Sequence, residues 1–310
     1  MKILCLLAGD KSVKSLNIVN DIVQKIDDTE LFVGSFPSDP WEEDFFTKIK
    51  EISNDESITF IELRKIDKEW WDDFNSKNKI DIILAIGWRY LLPKYIIDDL
   101  LVGAFAIHDS LLPKYRGFAP TVWAIINGEK EVGATLFSIN EGTDSGPIID
   151  QISIKISEDT YISEIVEKMN HVYINLLKNN LNNIISNNFQ TYIQDESKAT
   201  YTCKRQPKDG LIDWQDSAKN IQNKIRALSH PYPGSFTYLK QKKLYIWESY
   251  ISKSFFVSGS IPGRVIDLSK QNEVGISTGS GVIYLQKVQL ENKAIVSAYD
   301  LLKSPNETLG

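Results

Sequence analysis

One short run constrains the fold of this chain most. Ile82-Ile83-Leu84-Ala85-Ile86 is apolar at every position, whereas a strand with one face in water would alternate apolar and polar residues. The run therefore predicts a strand that is covered on both faces, which is typical of parallel sheets. Further short apolar runs lie at residues 2–8, 31–33, 58–61 and 104–107. Apolar residues at helical spacing from Val13 to Ile26 follow the first run, and strands alternating with helices predict an α/β fold with a mainly parallel sheet.

The sheet is predicted to be Rossmann-like in topology only. No Gly-x-Gly-x-x-Gly motif follows the first strand, so a dinucleotide site is not indicated. From residue 199 the pattern changes to a helix over about 217–229, with Asp216 as its cap, and then to short β-rich segments separated by glycine turns. Such spacing predicts a small OB-like barrel. We therefore predict two domains, residues 1–198 with the parallel sheet and residues 199–310 with the β-rich fold.

Composition limits the classes of partner. The chain has 310 residues, a net charge of −6 and two cysteines, Cys5 and Cys203. Two thiols without metal-ligand spacing indicate a reduced, cytoplasmic protein with no metal site. No run approaches the roughly 20 apolar residues of a membrane span. The acidic balance is the opposite of what a polyanion favours, so nucleic acid is not expected as a partner.

Two side chains in polar loops are candidates for proton transfer. His108 directly follows the run at 104–107, and Asp144 lies between predicted strands at 132–139 and 148–156. Loops at the carboxyl ends of parallel strands converge on a ligand crevice, and a carboxylate beside an imidazole fixes its tautomer and makes it a better proton acceptor. The alternative, in which His108 caps a strand and Asp144 caps a turn, stays open on these two residues alone. Beyond them, an amphipathic helix is predicted from Ile162 to Leu177, with the stretch 179–188 as its frayed end plus a linker.

A longer stretch around these residues carries a family resemblance. AFAIHDSLLPKYRGFAPTVWAIINGEKEVGATLFSINEGTDSGPIIDQ resembles the core of the folate-dependent formyltransferases, with its HxSLLPxYRG and GxDxG blocks at the right separation. GWRYLLP at 87–93 resembles the preceding folate-pocket segment, and the likeness continues through TYTCKRQPKDGLIDW and RALSHPYPGSFTY. It is closest to the nucleotide-sugar N-formyltransferases, in particular those that act on UDP-4-amino-4-deoxyarabinose.

The resemblance implies a reaction and a set of roles. A formyl group would pass from 10-formyltetrahydrofolate to the amine of a UDP- or dTDP-linked amino deoxysugar, without a metal, in lipopolysaccharide or surface glycan biosynthesis. His108 would be the base, Asp144 would orient it, and residues 1–198 would be the catalytic domain that binds the folate. The resemblance assigns folate contacts, mainly through the backbone, to Tyr90, Leu91, Leu92, Asn140, Glu141, Gly142 and Thr143. Lys204 and Arg205 match a basic pair that meets a diphosphate, although paired cations are often merely solvated.

One position departs from the family pattern. The family has an asparagine two residues before the histidine, and its amide stabilises the tetrahedral oxyanion. Here that position is Ala106, and an alanine methyl has no hydrogen-bond donor, so the resemblance implies low activity. An engineered active-site mutant and a natural protein that is slow or has changed role both stay open, and the intactness of the other motifs favours the engineered change. Methionyl-tRNA formyltransferase and a non-catalytic folate- or nucleotide-binding homologue are the alternative functions, and a homodimer stays open.

Overall fold

The computed structural model describes residues 1–39, 43–252 and 257–310. The chain forms two compact units, and each is assembled from three segments. The first contains Met1–Phe118, Val132–Ile154 and Lys168–Thr202, and the second contains Ala119–Glu131, Lys155–Glu167 and Cys203–Gly310. The division predicted between residues 198 and 199 stays a prediction; the last crossing between the units lies nearby, between Thr202 and Cys203.

A seven-stranded sheet forms the centre of the first unit. Its strands are β1 (Lys2–Leu7), β2 (Glu30–Ser35), β3 (Thr59–Glu62), β4 (Ile82–Ile86), β5 (Gly103–His108), β7 (Glu131–Ser138) and β8 (Ile148–Lys155). The order is β3-β2-β1-β4-β5-β7-β8. Neighbours among β1 to β5 pair in parallel, whereas β7 runs antiparallel to β5. Every residue of β4 is buried, as its apolar run predicts.

Helices connect the parallel strands. They are α1 (Asp10–Val23), α2 (Phe45–Asp55), α3 (Lys68–Asn78) and α4 (Lys94–Asp98), with the long α6 (Ile162–Ile185) after β8. An aspartate side chain caps the start of two of them: Asp44 before α2 accepts a hydrogen bond from the Thr47 N–H, and Asp67 before α3 accepts one from the Trp70 N–H. Such caps are the usual way in which the free N–H groups of a helix start are satisfied. The helix α6 continues regularly to Ile185, so most of the stretch predicted to fray is helical. A short pair, β6 (Arg116–Gly117) with β9 (Tyr201–Thr202), is parallel.

The second unit is β-rich. Its helices are α5 (Pro120–Ile126), α7 (Ala218–Leu228) and α8 (Ala298–Leu301), and its strands are β10 (Ser235–Leu239), β11 (Lys242–Ile251), β12 (Val265–Asp267), β13 (Val274–Ser277), β14 (Val282–Leu290) and β15 (Val296–Ser297). The strands form an antiparallel sheet in the order β10-β11-β14-β13-β12, with β15 on β14. The cap of α7 is Ser217, whose hydroxyl accepts from the Asn220 N–H, and not the predicted Asp216.

The predicted fold class is confirmed: a mainly parallel α/β sheet is followed by a β-rich, antiparallel C-terminal fold. Each has its own apolar core, one between the sheet and the helices that carry Trp71 and Ile96, the other between the antiparallel sheet and α7. Among the residues described, no helix is both long enough and apolar enough to cross a membrane.

Candidate functional site

His108 is the last residue of β5, and its ring is held by the backbone of the loop that follows. The imidazole Nε2 lies 2.8 Å from the carbonyl oxygen of Tyr115. A carbonyl oxygen can only accept a hydrogen bond, so Nε2 must carry the proton and donate it. In the neutral ring the lone pair is therefore on Nδ1, and this nitrogen is the one that can take up a proton.

Asp144 faces that free nitrogen. Its Oδ2 lies 3.5 Å from His108 Nδ1, and the two side chains are 23% and 10% exposed, respectively. The same Oδ2 accepts the Gly117 N–H at 2.8 Å, which fixes the carboxylate beside the ring. A proton taken up on Nδ1 would thus form an imidazolium next to a held carboxylate, an arrangement suited to general-base catalysis.

The loop that carries Asp144 does not reach His108 by convergence of parallel strands. Because β7 is antiparallel to β5, His108 is paired with Thr135, while the end of β7 at Ser138 is paired with Phe105. The two ends of the loop that carries Asp144 lie next to each other, since the Ser138 N–H donates a hydrogen bond to the Pro147 carbonyl at 2.9 Å. Its close return requires Gly146, where a Cβ atom would lie 1.6 Å from the Ser138 oxygen.

The predicted folate-binding residues of this loop lie in solvent. The carboxamide oxygen of Asn140 accepts the Gly142 N–H at 3.1 Å and the Ser145 hydroxyl at 2.9 Å, so Asn140 shapes the loop from within. Glu141, Gly142 and Thr143 are exposed, and Glu141 pairs with Lys94 at 3.4 Å.

The segment after β4 is the second predicted folate contact. Since Ile86 pairs with Ile107 in the parallel register, this segment begins beside His108. Leu91 is 73% and Tyr90 39% exposed, whereas Leu92 is only 6% exposed and packs in the core. Exposed apolar side chains at the carboxyl end of a strand are available to an apolar part of a ligand.

Trp88 is a further candidate site residue, which the sequence patterns did not indicate. Its ring lies 5.4 Å from that of Phe36 and 5.6 Å from that of Tyr90. Its indole Nε1–H is buried and has no hydrogen-bond partner among the described residues. Buried donors are nearly always paired, so this N–H is a candidate contact for a ligand acceptor.

Ala106 lies two residues before His108 on the same strand. Alternate residues of a strand project to the same face, so the side chains at 106 and 108 share one. Ala106 is paired with Ala85 on β4 and Phe137 on β7 and is partly buried against the apolar core. The position is therefore beside the candidate base, as the family pattern requires, but it carries no donor.

A charged group lies next to the candidate base and was also missed. Asp109 forms an ion pair with Lys11 and accepts the Tyr173 hydroxyl at 2.7 Å. Burial acts to raise the pKa of Asp109, but the Lys11 ammonium and the Tyr173 hydroxyl outweigh it and hold that pKa below its ordinary value. Burial, followed by the charge of Asp109, raises the pKa of Tyr173 well above its ordinary value. The position of Lys11 just after β1 is the one sequence signal that could have indicated this group.

The predicted phosphate-binding pair belongs to the second unit. Lys204 is exposed and Arg205 is half-buried. The Arg205 Nε is buried without a hydrogen-bond partner among the described residues, and its desolvation lowers the pKa of the guanidinium. A desolvated cation with a free donor is suited to an anionic ligand. No group of three or more His, Cys, Asp or Glu side chains that could hold a metal ion is found in the described part of the chain.

Comparison with known proteins gives two family matches. The sequence profile "Formyl transferase" matches residues 50–181, a range that contains both His108 and Asp144. The profile "Formyl transferase, C-terminal domain" matches residues 204–306. The bifunctional polymyxin resistance protein ArnA of Wigglesworthia glossinidia brevipalpis is 40% identical over 225 residues, which are 73% of this chain and 34% of that protein. The chain therefore spans about a third of the length of this curated relative.

Solved structures with the same fold include two N-formyltransferases. WlaRD, described as a sugar 3N-formyl transferase in the presence of dTDP and 5-N-formyl-THF, has a TM-score of 0.67 and 21% identity, over 95% of this chain and 99% of that one. The N-formyltransferase from Helicobacter canadensis, in complex with folinic acid and dTDP-3-aminofucose, has a TM-score of 0.67 and 19% identity, over 93% of this chain and 98% of that one.

Proposed function

Because the chain belongs to the formyl transferase family, we propose that it transfers a formyl group from 10-formyltetrahydrofolate to the amine of a nucleotide-linked amino deoxysugar. The observation that carries the proposal is the His108–Asp144 pair, 3.5 Å apart, within the HxSLLPxYRG and GxDxG blocks that the family profile covers. A capped strand and a capped turn would not require these two side chains to meet.

In the proposed reaction His108 is the base. The nitrogen of the acceptor amine forms a bond to the formyl carbon and loses a proton, which His108 Nδ1 takes up. Asp144 stabilises the imidazolium, and the Tyr115 carbonyl keeps Nε2–H in place so that Nδ1 is the basic atom. The bond between the formyl carbon and the donor nitrogen then breaks, and His108 returns its proton to that departing nitrogen. The formyl group passes directly from one nitrogen to the other, so no covalent bond to the protein forms. Much of the rate comes from holding the two reactants together.

The segment that follows β4 and the loop that carries Asp144 are proposed to bind the formyl donor. 10-Formyltetrahydrofolate, when bound, supplies the formyl carbon and the amine that leaves. Tyr90 and Leu91 would contact its ring systems, and the Trp88 N–H, which has no partner within the described parts of the chain, would donate to one of its acceptors. The loop 140–144 would supply the remaining contacts. The folate complexes of WlaRD and of the H. canadensis protein support this assignment.

The acceptor is proposed to carry a pyrimidine nucleoside diphosphate. Both structural neighbours bind dTDP or a dTDP-linked sugar, and the name of the curated relative refers to polymyxin resistance. Lys204 would hold the diphosphate together with the Arg205 Nε–H, for which the described residues offer no partner. Ala106 leaves the oxyanion without an amide donor in this chain, so turnover is proposed to be slow.

Turnover by variants tests the assignment of the base. In an Ala106→Asn background, His108→Asn and Asp144→Asn should each lower turnover by roughly 10²-fold or more. His171→Asn is the matched control, because His171 is an exposed residue of α6, and it should leave turnover unchanged. Near-unchanged turnover in both site variants would remove the proposed roles.

The acceptor class is tested by offering a panel of UDP- and dTDP-amino sugars and, separately, methionyl-tRNA with the same folate. Formylation of at least one nucleotide sugar and none of the tRNA is expected. Formylation of the tRNA alone would reject the sugar acceptor while keeping the family activity.

A further inference from the structure

Gln194 lies outside both motifs, in the segment between α6 and β9. Its side chain is buried, with 5% of the residue exposed. It connects two loops that are far from it in sequence: the histidine loop (residues 109–118) and the aspartate loop (residues 139–147).

The amide of Gln194 makes every hydrogen bond that it can make. Its Nε2 donates to the carbonyl oxygens of Asp144 at 2.8 Å and Gly146 at 2.7 Å. Its Oε1 accepts from Arg116, from Nε at 3.1 Å and from an Nη at 2.8 Å. A guanidinium can only donate and a carbonyl can only accept, so the orientation of this amide is fixed by its partners.

Arg116 is a firm anchor for that amide. It is fully buried, and its guanidinium also donates to Glu196 at 2.6 and 3.0 Å and to the Tyr201 hydroxyl at 2.9 Å. The hydrogen bond that Arg116 donates to Glu196 is the main cause that raises the pKa of Arg116 above its ordinary value. A buried charge with this many partners does not move freely.

The two residues that flank Arg116 hold the candidate catalytic pair. Tyr115 accepts the His108 Nε2–H through its carbonyl, and Gly117 donates its N–H to the Asp144 carboxylate. Asp144 itself has a left-handed backbone, with φ 48°, a conformation that persists only where neighbours enforce it. Gln194 contacts the carbonyl of that same residue. One buried amide therefore links the side chain of Arg116, which lies between the two residues that hold the pair, to the backbone that carries the carboxylate.

We infer that Gln194 is a positioning residue that couples the histidine loop to the aspartate loop and so fixes His108 Nδ1 against Asp144. The inference rests on the proposed function for its effect on rate, because there His108 is the base. The placement of the His108 ring by Gln194 does not depend on any reaction and can be tested without one.

The substitution Gln194→Glu tests the coupling. It keeps the size of the side chain and an acceptor for Arg116, but it puts an oxygen where Nε2 donates to two carbonyls. In the Ala106→Asn background we expect turnover to fall about 10-fold or more, because small displacements of reacting groups are costly, while KM for both substrates stays within about 2-fold. The matched control is Gln289→Glu in the second unit, which likewise removes a donor to a backbone carbonyl, that of Lys293. This control should leave turnover and both KM values unchanged.

A second readout is independent of activity. The chain has three histidines, so long-range ¹H–¹⁵N spectra of the rings are sparse, and the signals lost in His108→Asn assign His108. In the parent, His108 should be the Nε2–H tautomer. Gln194→Glu should shift the His108 ring signals and leave those of His171 and His230 in place. If Gln194→Glu does not fold, Glu196→Gln provides a second test. It weakens the hydrogen bonds that Arg116 donates to the exposed Glu196, and it should shift the same His108 signals by less.

The outcomes separate the two hypotheses. Shifted His108 signals in a protein that never transfers formyl would support the coupling and reject the proposed function. Unshifted His108 signals, with turnover unchanged in an active background, would overturn the coupling and leave the function standing. A rise in KM with turnover intact would also overturn it, since Gln194 would then act on binding.

Discussion

Restoring an amide at position 106 is expected to accelerate the proposed reaction strongly. Residues 106 and 108 lie on the same face of β5, about 6.6 Å apart at the usual rise of a strand, so an asparagine at 106 would place its NH2 group beside the His108 ring. Attack on the formyl carbon puts negative charge on its oxygen, and a donor held there stabilises the transition state more than the ground state. One such donor is typically worth on the order of 10²–10³ in turnover, or about 3–4 kcal/mol.

The assay is formyl transfer by the parent and by Ala106→Asn, at saturating donor and acceptor. Turnover should rise by about that factor, and the dissociation constants of both ligands should stay within a few-fold, because the ligands are held elsewhere. Ala106→Leu is the control, since leucine has nearly the shape of asparagine without its donor, and it should bring no gain. Because Ala106 is partly buried against the core, thermal unfolding of both variants checks that the larger side chains fit.

An asparagine variant that folds, binds both ligands and is no faster than the parent would refute the reasoning. In that case another donor already serves the oxyanion. An equal gain in Ala106→Leu would also refute it, because packing and not donation would then be responsible.

Two further predictions concern stability and thiol chemistry. Asp109→Asn should lower the free energy of unfolding by about 1–3 kcal/mol at pH 7 through loss of the charged partner of Lys11. Because the folded-state pKa of Asp109 lies below its ordinary value, this difference should shrink as the pH falls through that lower pKa. A difference in denaturant titrations that does not shrink as the pH is lowered would contradict the prediction. Burial raises the pKa of Cys5 to about 12, whereas Cys203 is exposed. A thiol reagent at pH 8 should therefore modify only Cys203 in the native protein, and both cysteines after unfolding. Fast modification of Cys5 in the native protein would contradict this prediction.

Local patterns were sufficient for most of the fold. The apolar run of β4 and its neighbours predicted buried parallel strands, because burial on both faces leaves no room for polar residues. The change of pattern after residue 199 predicted the β-rich second part. The pattern was weaker where an element buries few side chains. The helix α3 has a single buried residue, Trp71, so the spacing of its apolar residues hardly indicates a helix.

The sequence alone also made His108 and Asp144 candidates, since both lie in polar loops next to predicted buried strands. On these two residues the capping alternative stayed open, and only the family resemblance favoured the catalytic roles. That the two side chains meet was decided by the tertiary structure. Convergence of parallel strands does not bring them together, because β7 runs antiparallel to β5 and the loop that carries Asp144 begins at the opposite end of β5 from His108. The contact depends on Gly117 and on Gln194, which is 50 residues from Asp144 in the chain.

Which nitrogen of His108 is basic was likewise a matter of the fold, set by the carbonyl of Tyr115. Short-range sequence patterns record which face of an element is buried, and this repeats every two or 3.6 residues. A hydrogen bond between distant loops has no such period. It depends on where packing places each backbone group, so only the folded chain determines it.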